Sequence, residues 1–207
     1  MPGFANAKET WNARFARDDY IFGRQPNAFV EAHAHRVAPG KRVLCVADGE
    51  GRNSVWLAER GMVVTAFDFA GNALVKARAL AAERGVVVQL AEADILDYDW
   101  TAARYDAVFA VFIQFLSPEE RPAVFAGMKD AVVTGGLFFL EGYRPEQIAL
   151  GTGGPGKASH MYTREWLLQE FAGWDIEHLA SYEAELDEGA AHKGPSAVID
   201  LVARKRG

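Results

Sequence analysis

One segment, residues 42–68, constrains the fold more than any other part of the sequence. It reads as an apolar strand over 43–46, the turn Asp48-Gly49-Glu50-Gly51, a helix that begins near Asn53, and a second strand that ends at Asp68. The glycines allow a sharp bend and a close approach of a ligand to the backbone, and the helix start directs unpaired amides and a positive dipole end toward the same place. Asp68, 19 residues after Gly49, is placed to accept both hydroxyls of a ribose. The segment therefore predicts a site for a nucleoside cofactor.

Composition narrows the class of protein. The chain has 207 residues, which suits one α/β domain, and its net charge of -6 and pI near 5.4 argue against a nucleic-acid partner. Its single cysteine, Cys45, allows no internal disulfide and falls in the first strand, so we expect a buried and inert thiol. No apolar stretch is long enough to cross a bilayer, and no secretion signal is evident. We expect a cytoplasmic protein with no membrane partner.

Strand and helix patterns alternate through the middle of the chain, which predicts a parallel, doubly wound sheet with right-handed crossovers. The glycine pair Gly135-Gly136 reads as a turn between the last helix and strand of this region. The predicted elements are helix 72–84, strand 86–90, strand 105–112, a helix with Ser117 as its cap and Pro118 at its first position that ends near Val133, and strand 137–140.

The last third of the chain follows a different pattern. Residues 143–162 contain many glycines and predict one long loop, after which Thr163 caps a short helix through about Phe171. Two strands, near 176–185 and 196–203, follow with no helix of useful length between them. They are expected to pair antiparallel, as a hairpin at the edge of the sheet.

The order of these elements resembles the class I S-adenosylmethionine-dependent methyltransferases over nearly the whole chain. Where that family has Asp-x-Gly-x-Gly-x-Gly, this chain reads Cys45-Val46-Ala47-Asp48-Gly49-Glu50-Gly51, without the first acid and the first glycine. The resemblance implies a Rossmann-like α/β fold: a doubly wound, mostly parallel seven-stranded sheet with an antiparallel C-terminal hairpin strand and helices on both faces. It also implies S-adenosylmethionine as cofactor and S-adenosylhomocysteine as product.

Further strings resemble the tellurite-resistance and thiopurine methyltransferase branch. They are residues 52–58 with Gly61, and a leader composed of 11–15, Tyr20, 22–23 and 26–27 that in such proteins folds over the cofactor. The resemblance places Asp48 at the cofactor's amino group, Asp68 at the ribose and Asp94 at the adenine amine. The cofactor site predicted in this way comprises Trp11, Tyr20, Asp48, Gly49, Glu50, Gly51, Asn53, Asp68, Phe69, Asp94, Ile95 and Val111. We expect one domain of residues 1–207, with a leader (1–40), a cofactor-binding core (41–142) and a substrate-side segment (143–207).

Two other functions fit the same pattern. NAD-binding proteins have the same order of a strand, a Gly-x-Gly turn, a helix and an acidic residue. A nucleotide-dependent oxidoreductase is therefore one alternative. No tyrosine is followed four residues later by lysine, however, so the common short-chain dehydrogenase proton relay is missing. A module that binds S-adenosylmethionine without turnover is the other alternative.

Candidate catalytic residues lie outside the cofactor core. Gln114 follows the fourth strand and could orient a polar acceptor or serve the structure, while Glu188 and His192 in the last hairpin could act as orienter and base. Glycines at 151–156 would permit a mobile lid or only a wide turn. The other histidines lack metal-site spacing, so no metal is expected. The expected partner is a small-molecule acceptor (a thiol, metalloid oxyanion, amine or oxygen compound), with a monomer or homodimer as the assembly.

Overall fold

The computed structural model of the protein describes residues 7–207, so the first six residues of the predicted leader lie outside the described residues. Within this range one sheet contains all the strands. They are β1 (Arg42–Val46), β2 (Val63–Asp68), β3 (Val88–Glu92), β4 (Tyr105–Val111), β5 (Val132–Tyr143), β6 (Asp175–Asp187) and β7 (Lys193–Arg204).

The seven strands run in the order β3-β2-β1-β4-β5-β7-β6. Strands β1 to β5 pair in parallel, whereas β7 pairs antiparallel with both β5 and β6. The predicted fold class is therefore confirmed, including the antiparallel C-terminal hairpin. After β1 the chain continues to β2 on one side, and β4 continues to β5 on the other, so a crevice is expected between the carboxyl ends of β1 and β4.

Helices cover both faces of the sheet because its central strands are apolar on both sides. Along β4, Val108 and Ala110 belong to one core cluster, whereas Ala107 and Phe109 belong to the cluster on the other face. The helices are α1 (Ala7–Phe15), α2 (Ala28–His33), α3 (Arg52–Glu59), α4 (Gly71–Glu83), α5 (Arg121–Ala131), α6 (Gln147–Leu150) and α7 (Arg164–Glu170), with short 3-10 turns at Ala34–Arg36 and Ala158–His160.

Two glycines predicted to form a turn are part of a strand instead. β5 begins at Val132, directly after α5, and Gly135 and Gly136 lie inside it. A Cβ on Gly136 would lie 2.8 Å from the carbonyl oxygen of Asp106 on β4. The glycine is needed for this close approach, at a point where the β4–β5 register shifts, and the turn prediction was wrong.

Other helices and strands begin at residues different from those predicted, because of local contacts. Ser117 exchanges hydrogen bonds with Glu120 in a turn that precedes α5, so the helix begins at Arg121. Strand β3 begins two residues later than predicted, at Val88. Residues 143–162 are not one loop, because they contain α6 and a 3-10 turn. Thr163 does cap α7, accepting a hydrogen bond from the amide of Trp166.

Gly51 serves helix packing as well as the turn. It precedes α3 in the left-handed region (φ 87°), and an added Cβ would lie 2.8 Å from the Cβ of Ala77 on α4. No larger residue fits between the two helices without moving one of them. This role differs from the predicted cofactor contact.

Gly51→Ala is expected to destabilise the protein by about 3 kcal/mol, since it combines left-handed strain with overpacking. Gly40→Ala is the matched control, because Gly40 has φ 81° but nothing within 4 Å of an added Cβ. That variant should lose only about 1–2 kcal/mol from backbone strain. Urea unfolding of both variants gives the two free energies, and equal losses would refute the packing role.

Candidate active site

A cavity of about 320 Å³ opens at the carboxyl ends of β1 and β4, at the expected crevice. Its walls come from the glycine turn, the leader, the 151–156 loop and the β6–β7 turn. The predicted site residues that line it are Trp11, Asp48, Gly49, Glu50, Asn53, Asp68, Phe69, Val111, Gln114 and His192. Those that do not line it are Tyr20, Gly51, Asp94, Ile95 and Glu188.

Strained backbone is concentrated at this cavity. Within residues 7–207, the non-glycine residues with positive φ are Ala47 (48°) and Phe112 (55°), which follow β1 and β4. Both line the cavity. A bulky residue rarely adopts this conformation, and such strain is typical of functional sites.

Asp68 is fixed in place by the backbone around it. One carboxylate oxygen accepts a hydrogen bond from the amide of Gly49 (3.0 Å), and the other accepts from the amide of Ala70 (2.8 Å). Burial raises the pKa of Asp68, and these hydrogen bonds oppose the rise. Each oxygen keeps a second lone pair for a ligand hydroxyl.

Asp48 lies beside Asp68 in the same wall. Its carboxylate accepts a hydrogen bond from the hydroxyl of Ser54 on α3. Burial raises the pKa of Asp48 to about 7, and the charge of Asp68 adds to the rise while the Ser54 hydrogen bond opposes it. A cation bound here would favour the ionised form.

Two of the predicted cofactor residues are bound to the leader. The carboxylate of Glu50 pairs with Lys76 (2.7 Å) and accepts from the amide of Phe22 (3.3 Å). The side-chain oxygen of Asn53 accepts from the amide of Asn27 (2.9 Å). Both side chains line the cavity, but these bonds fasten residues 22–27 onto the glycine turn and α3.

The leader forms an aromatic wall. Trp11 packs on Phe15, with ring centroids 5.6 Å apart, and lies 6.1 Å from Phe22. Tyr20 does not contribute, because its ring packs against α3 and α4 and its hydroxyl donates to the carbonyl of Lys76 (3.1 Å). Tyr20 is therefore not among the residues that line the cavity.

The segment predicted to meet adenine is also displaced from the cavity. Asp94 is exposed, and its carboxylate accepts from the amide of Leu96 (3.0 Å) in a tight turn. Ile95 is a core residue, only 3% exposed. The turn after β3 thus directs Asp94 to solvent and Ile95 inward, which leaves Phe69 as the lining residue on this side.

Glu188 lies behind the cavity, in a buried polar cluster. Its carboxylate pairs with Arg52 (2.9 Å) and accepts from the Asn27 side chain (3.0 Å) and the Ala28 amide (3.2 Å), while His192 Nδ1 lies 3.7 Å away. Burial alone would raise the pKa of Glu188, but His192, Arg52 and the amide lower it to about 2. Glu188 is therefore a fixed negative charge behind His192.

His192 faces the cavity from the β6–β7 turn. Phe112 and Phe22 surround its ring at centroid distances of 4.4 and 4.7 Å. Burial lowers the pKa of His192, so the ring is neutral near pH 7. The glycine loop meets the same turn, since a Cβ on Gly153 would lie 3.7 Å from the carbonyl oxygen of Ala191.

The Gln114 side chain makes hydrogen bonds to the backbone of a neighbouring strand. Its side-chain nitrogen donates to the carbonyl of Tyr143 (2.8 Å), and its side-chain oxygen accepts from the amide of the same residue. The amide thereby ties the end of β4 to the end of β5. This arrangement favours the structural role over a role in orienting the acceptor.

Several lining residues were not identified from the sequence. Arg52 and Asn27 had no visible partner, because Glu188 is far away along the chain. Asn27 could have been found as the N-cap of α2, where it accepts from the amide of Val30. The lining residues to which no individual role was assigned include Arg52, Phe112, Phe115 and Tyr143, whereas Arg14, Phe15 and Phe22 belong to the predicted leader.

The described part of the chain contains neither a metal-binding cluster nor a membrane-spanning helix. No group of three or more histidine, cysteine, aspartate or glutamate side chains there could hold a metal ion. Likewise, no helix between residues 7 and 207 is long and apolar enough to cross a membrane.

Part of the chain matches a known type of domain. Residues 43–136, a little under half of the chain, match the family model described as a methyltransferase domain. No curated protein sequence matches the chain. The matched segment contains β1, the glycine turn and Asp68.

Solved structures share the fold. TehB from Haemophilus influenzae is 19% identical, with a TM-score of 0.72 over 96% of this chain and 67% of that one. The N-methyltransferase NodS from Bradyrhizobium japonicum, in complex with S-adenosylhomocysteine, is 14% identical, with a TM-score of 0.71 over 98% of this chain and 100% of that one.

A third structure is that of magnesium protoporphyrin IX methyltransferase from Synechocystis with bound S-adenosylmethionine. It is 16% identical, with a TM-score of 0.67 over 96% of this chain and 95% of that one. Residues 43–136 thus match a methyltransferase domain, and the chain shares the fold of methyltransferases whose structures contain S-adenosylhomocysteine or S-adenosylmethionine.

Proposed function

We propose that this chain transfers the methyl group of S-adenosylmethionine to a small-molecule acceptor and releases S-adenosylhomocysteine. The main support for the proposal is the hydrogen bond from the Gly49 amide to the Asp68 carboxylate. It lies at the crevice between β1 and β4, inside the segment that matches the methyltransferase model. The cavity is narrow and is bounded by the chain's own leader and loops. These walls favour a small acceptor over a macromolecule.

The charges of the cavity suit the zwitterionic end of this cofactor. Asp48 would pair with the ammonium group, and Arg14, which lines the cavity and packs over Trp11 at 4.3 Å, would pair with the carboxylate. Asp68 would accept the ribose hydroxyls. NAD carries no ammonium group, so Asp48 favours the methyl donor over the oxidoreductase alternative.

Methyl transfer requires little covalent work from the protein. The sulfonium carbon is already activated, so the protein holds the acceptor in line with carbon and sulfur and excludes water. His192 would take a proton from an acceptor that must lose one, with Glu188 stabilising the imidazolium that forms. Trp11, Phe22 and Phe112 would exclude water from this end.

Finer assignments extend the same proposal. The leader motif and the similarity to TehB support placement in the tellurite-resistance and thiopurine branch. We assign residues 1–207 to one domain, with the leader 1–40, the core 41–142 and the substrate-side segment 143–207. Acidic charge and composition support a cytoplasmic protein that acts on neither nucleic acid nor membrane, as a monomer or homodimer.

Two experiments test the proposal against its alternatives. Thermal unfolding with S-adenosylmethionine, S-adenosylhomocysteine or NAD should show stabilisation by the first two ligands only. A tritium-methyl transfer screen against thiols, amines, oxygen compounds and metalloid oxyanions should then detect product. Stabilisation by NAD alone would favour the oxidoreductase, and cofactor binding without any product would favour the non-catalytic module.

Asp68→Ala is expected to weaken S-adenosylhomocysteine binding at least ~10-fold, because charge-assisted hydrogen bonds to two hydroxyls are lost. Asp99→Ala, in an exposed turn outside the cavity, is the control and should bind normally. Calorimetry on the folded variants measures both affinities. An unchanged affinity for Asp68→Ala would remove the ribose assignment.

Cofactor affinity is expected to rise with pH through about 7. Asp48 is mostly protonated below that pH in the free protein, and its ionised form pairs better with the cofactor's ammonium group. Between pH 6 and pH 8 the affinity for S-adenosylhomocysteine should increase by up to ~10-fold, with proton release on binding below pH 7. Calorimetry in buffers of different ionisation enthalpy measures both effects, and Asp48→Asn should abolish them.

His192→Gln should leave cofactor binding intact and lower the transfer rate by ~10²-fold or more for an acceptor that must lose a proton. Glutamine keeps a polar side chain of similar reach without a basic ring. Single-turnover rates with the best acceptor from the screen measure the effect. A loss below tenfold would indicate that His192 only positions the acceptor.

A further inference from the structure

The hydroxyl of Tyr143, at the end of β5, is buried beside the cavity. The residue lines the cavity and is 2% exposed. Within residues 7–207 its oxygen has no hydrogen-bond partner. The Ser196 side chain is close enough to lower the Tyr143 pKa slightly through hydrogen bonding, but its hydroxyl donates to the carbonyl of Gly194 (3.1 Å), and its geometry toward the Tyr143 oxygen is not that of a hydrogen bond.

A buried hydroxyl without a hydrogen-bond partner lowers the stability of a folded protein. A buried hydroxyl that loses its bonds to water without replacement costs about 1–3 kcal/mol, and buried polar groups in native proteins are nearly all paired. The Tyr143 oxygen lies beside the glycine loop, since a Cβ on Gly153 would be 3.3 Å from it. Gly153 lines the cavity too, so the hydroxyl lies beside the cavity wall, and because the oxygen itself is buried, a bound molecule contacts it when the glycine loop shifts.

The surroundings define the chemistry of that molecule. The ring of Tyr143 lies 4.7 Å from the ring of Phe112 and 5.9 Å from that of His192. Phe22 and Phe115 complete the apolar wall. Burial and the nearby charges of Glu188 and Glu141 raise the pKa of Tyr143, so the hydroxyl remains protonated and acts as a donor.

We propose that Tyr143 donates a hydrogen bond to the methyl acceptor, and that the acceptor is a small aromatic or otherwise apolar molecule with one hydrogen-bond-accepting oxygen, nitrogen or sulfur atom. The inference rests on the proposed function, because it assigns the acceptor end of the same cavity. Tyr143 is then a residue that determines specificity. The apolar rings bind the body of the acceptor, and the hydroxyl selects its polar atom.

The test compares phenol with toluene as probes, because the two differ by the polar atom. Ligand-observed NMR titrations of the S-adenosylhomocysteine complex should show tighter binding of phenol by about fivefold in the wild type, and Tyr143→Phe should remove this preference. Tyr182→Phe is the matched control. Its hydroxyl donates to Asp200 (2.7 Å) outside the cavity, so that variant should retain the preference for phenol.

Stability provides a second readout. Tyr143→Phe removes an unpaired hydroxyl, so its free energy of unfolding without ligand should be unchanged or higher, whereas Tyr182→Phe should be less stable. A preference for phenol that persists in Tyr143→Phe, a stability loss equal to that of Tyr182→Phe, or binding of neither probe by the wild-type complex would overturn the inference. Failure to bind S-adenosylhomocysteine would instead refute the proposed function, and calorimetry with that compound alone separates the two results.

Discussion

The site depends on one buried ion pair, between Arg52 on α3 and Glu188 in the last hairpin. A buried carboxylate is tolerated only when several donors replace its water shell, and Glu188 has the guanidinium, the Asn27 side chain and the Ala28 amide. Because these donors belong to the leader and to the core, the carboxylate joins three distant parts of the chain. It also places a fixed negative charge behind His192. Removing either charge would leave the other buried and unpaired, so the pair fixes the relative positions of the walls around the cavity.

The tightly packed sheet supports two residues with strained backbone at its carboxyl edge. Ala47 and Phe112 adopt left-handed backbone at the ends of adjacent strands, which costs of order 1–3 kcal/mol each. Strands β1 and β4 are buried on both faces, and on β4 the ring of Phe109 stacks on that of Phe139 with centroids 4.3 Å apart. The apolar contacts beneath the site therefore offset the strain at its floor.

Contacts within one strand-helix-strand unit could be predicted from the sequence, whereas contacts between residues far apart in the sequence could not. The pairing of Asp68 with Gly49 was predictable, because a parallel strand-helix-strand unit brings the ends of adjacent strands together. The order of elements followed from hydrophobic pattern alone. Gly136 was misread because a glycine required by a neighbouring strand looks the same in sequence as a glycine required by a turn. The partnership of Arg52 and Glu188 left no local signal, since either residue alone is an ordinary surface charge.

The leader and the β6–β7 turn, which are far apart in the sequence, meet over the cavity, and this has a consequence for biosynthesis. The amide of Ala191 donates to the carbonyl of Ile21 (3.1 Å), and an added Cβ on Gly189 would lie 2.6 Å from the same oxygen. On the ribosome the leader emerges well before the β6–β7 turn that holds it. Strand β5 likewise cannot pair with β7, its antiparallel neighbour, until β7 has been synthesised. A nascent chain that has completed the glycine turn and Asp68 therefore still lacks the 151–156 loop and the β6–β7 turn, and the pocket closes only after the β6–β7 hairpin has left the exit tunnel.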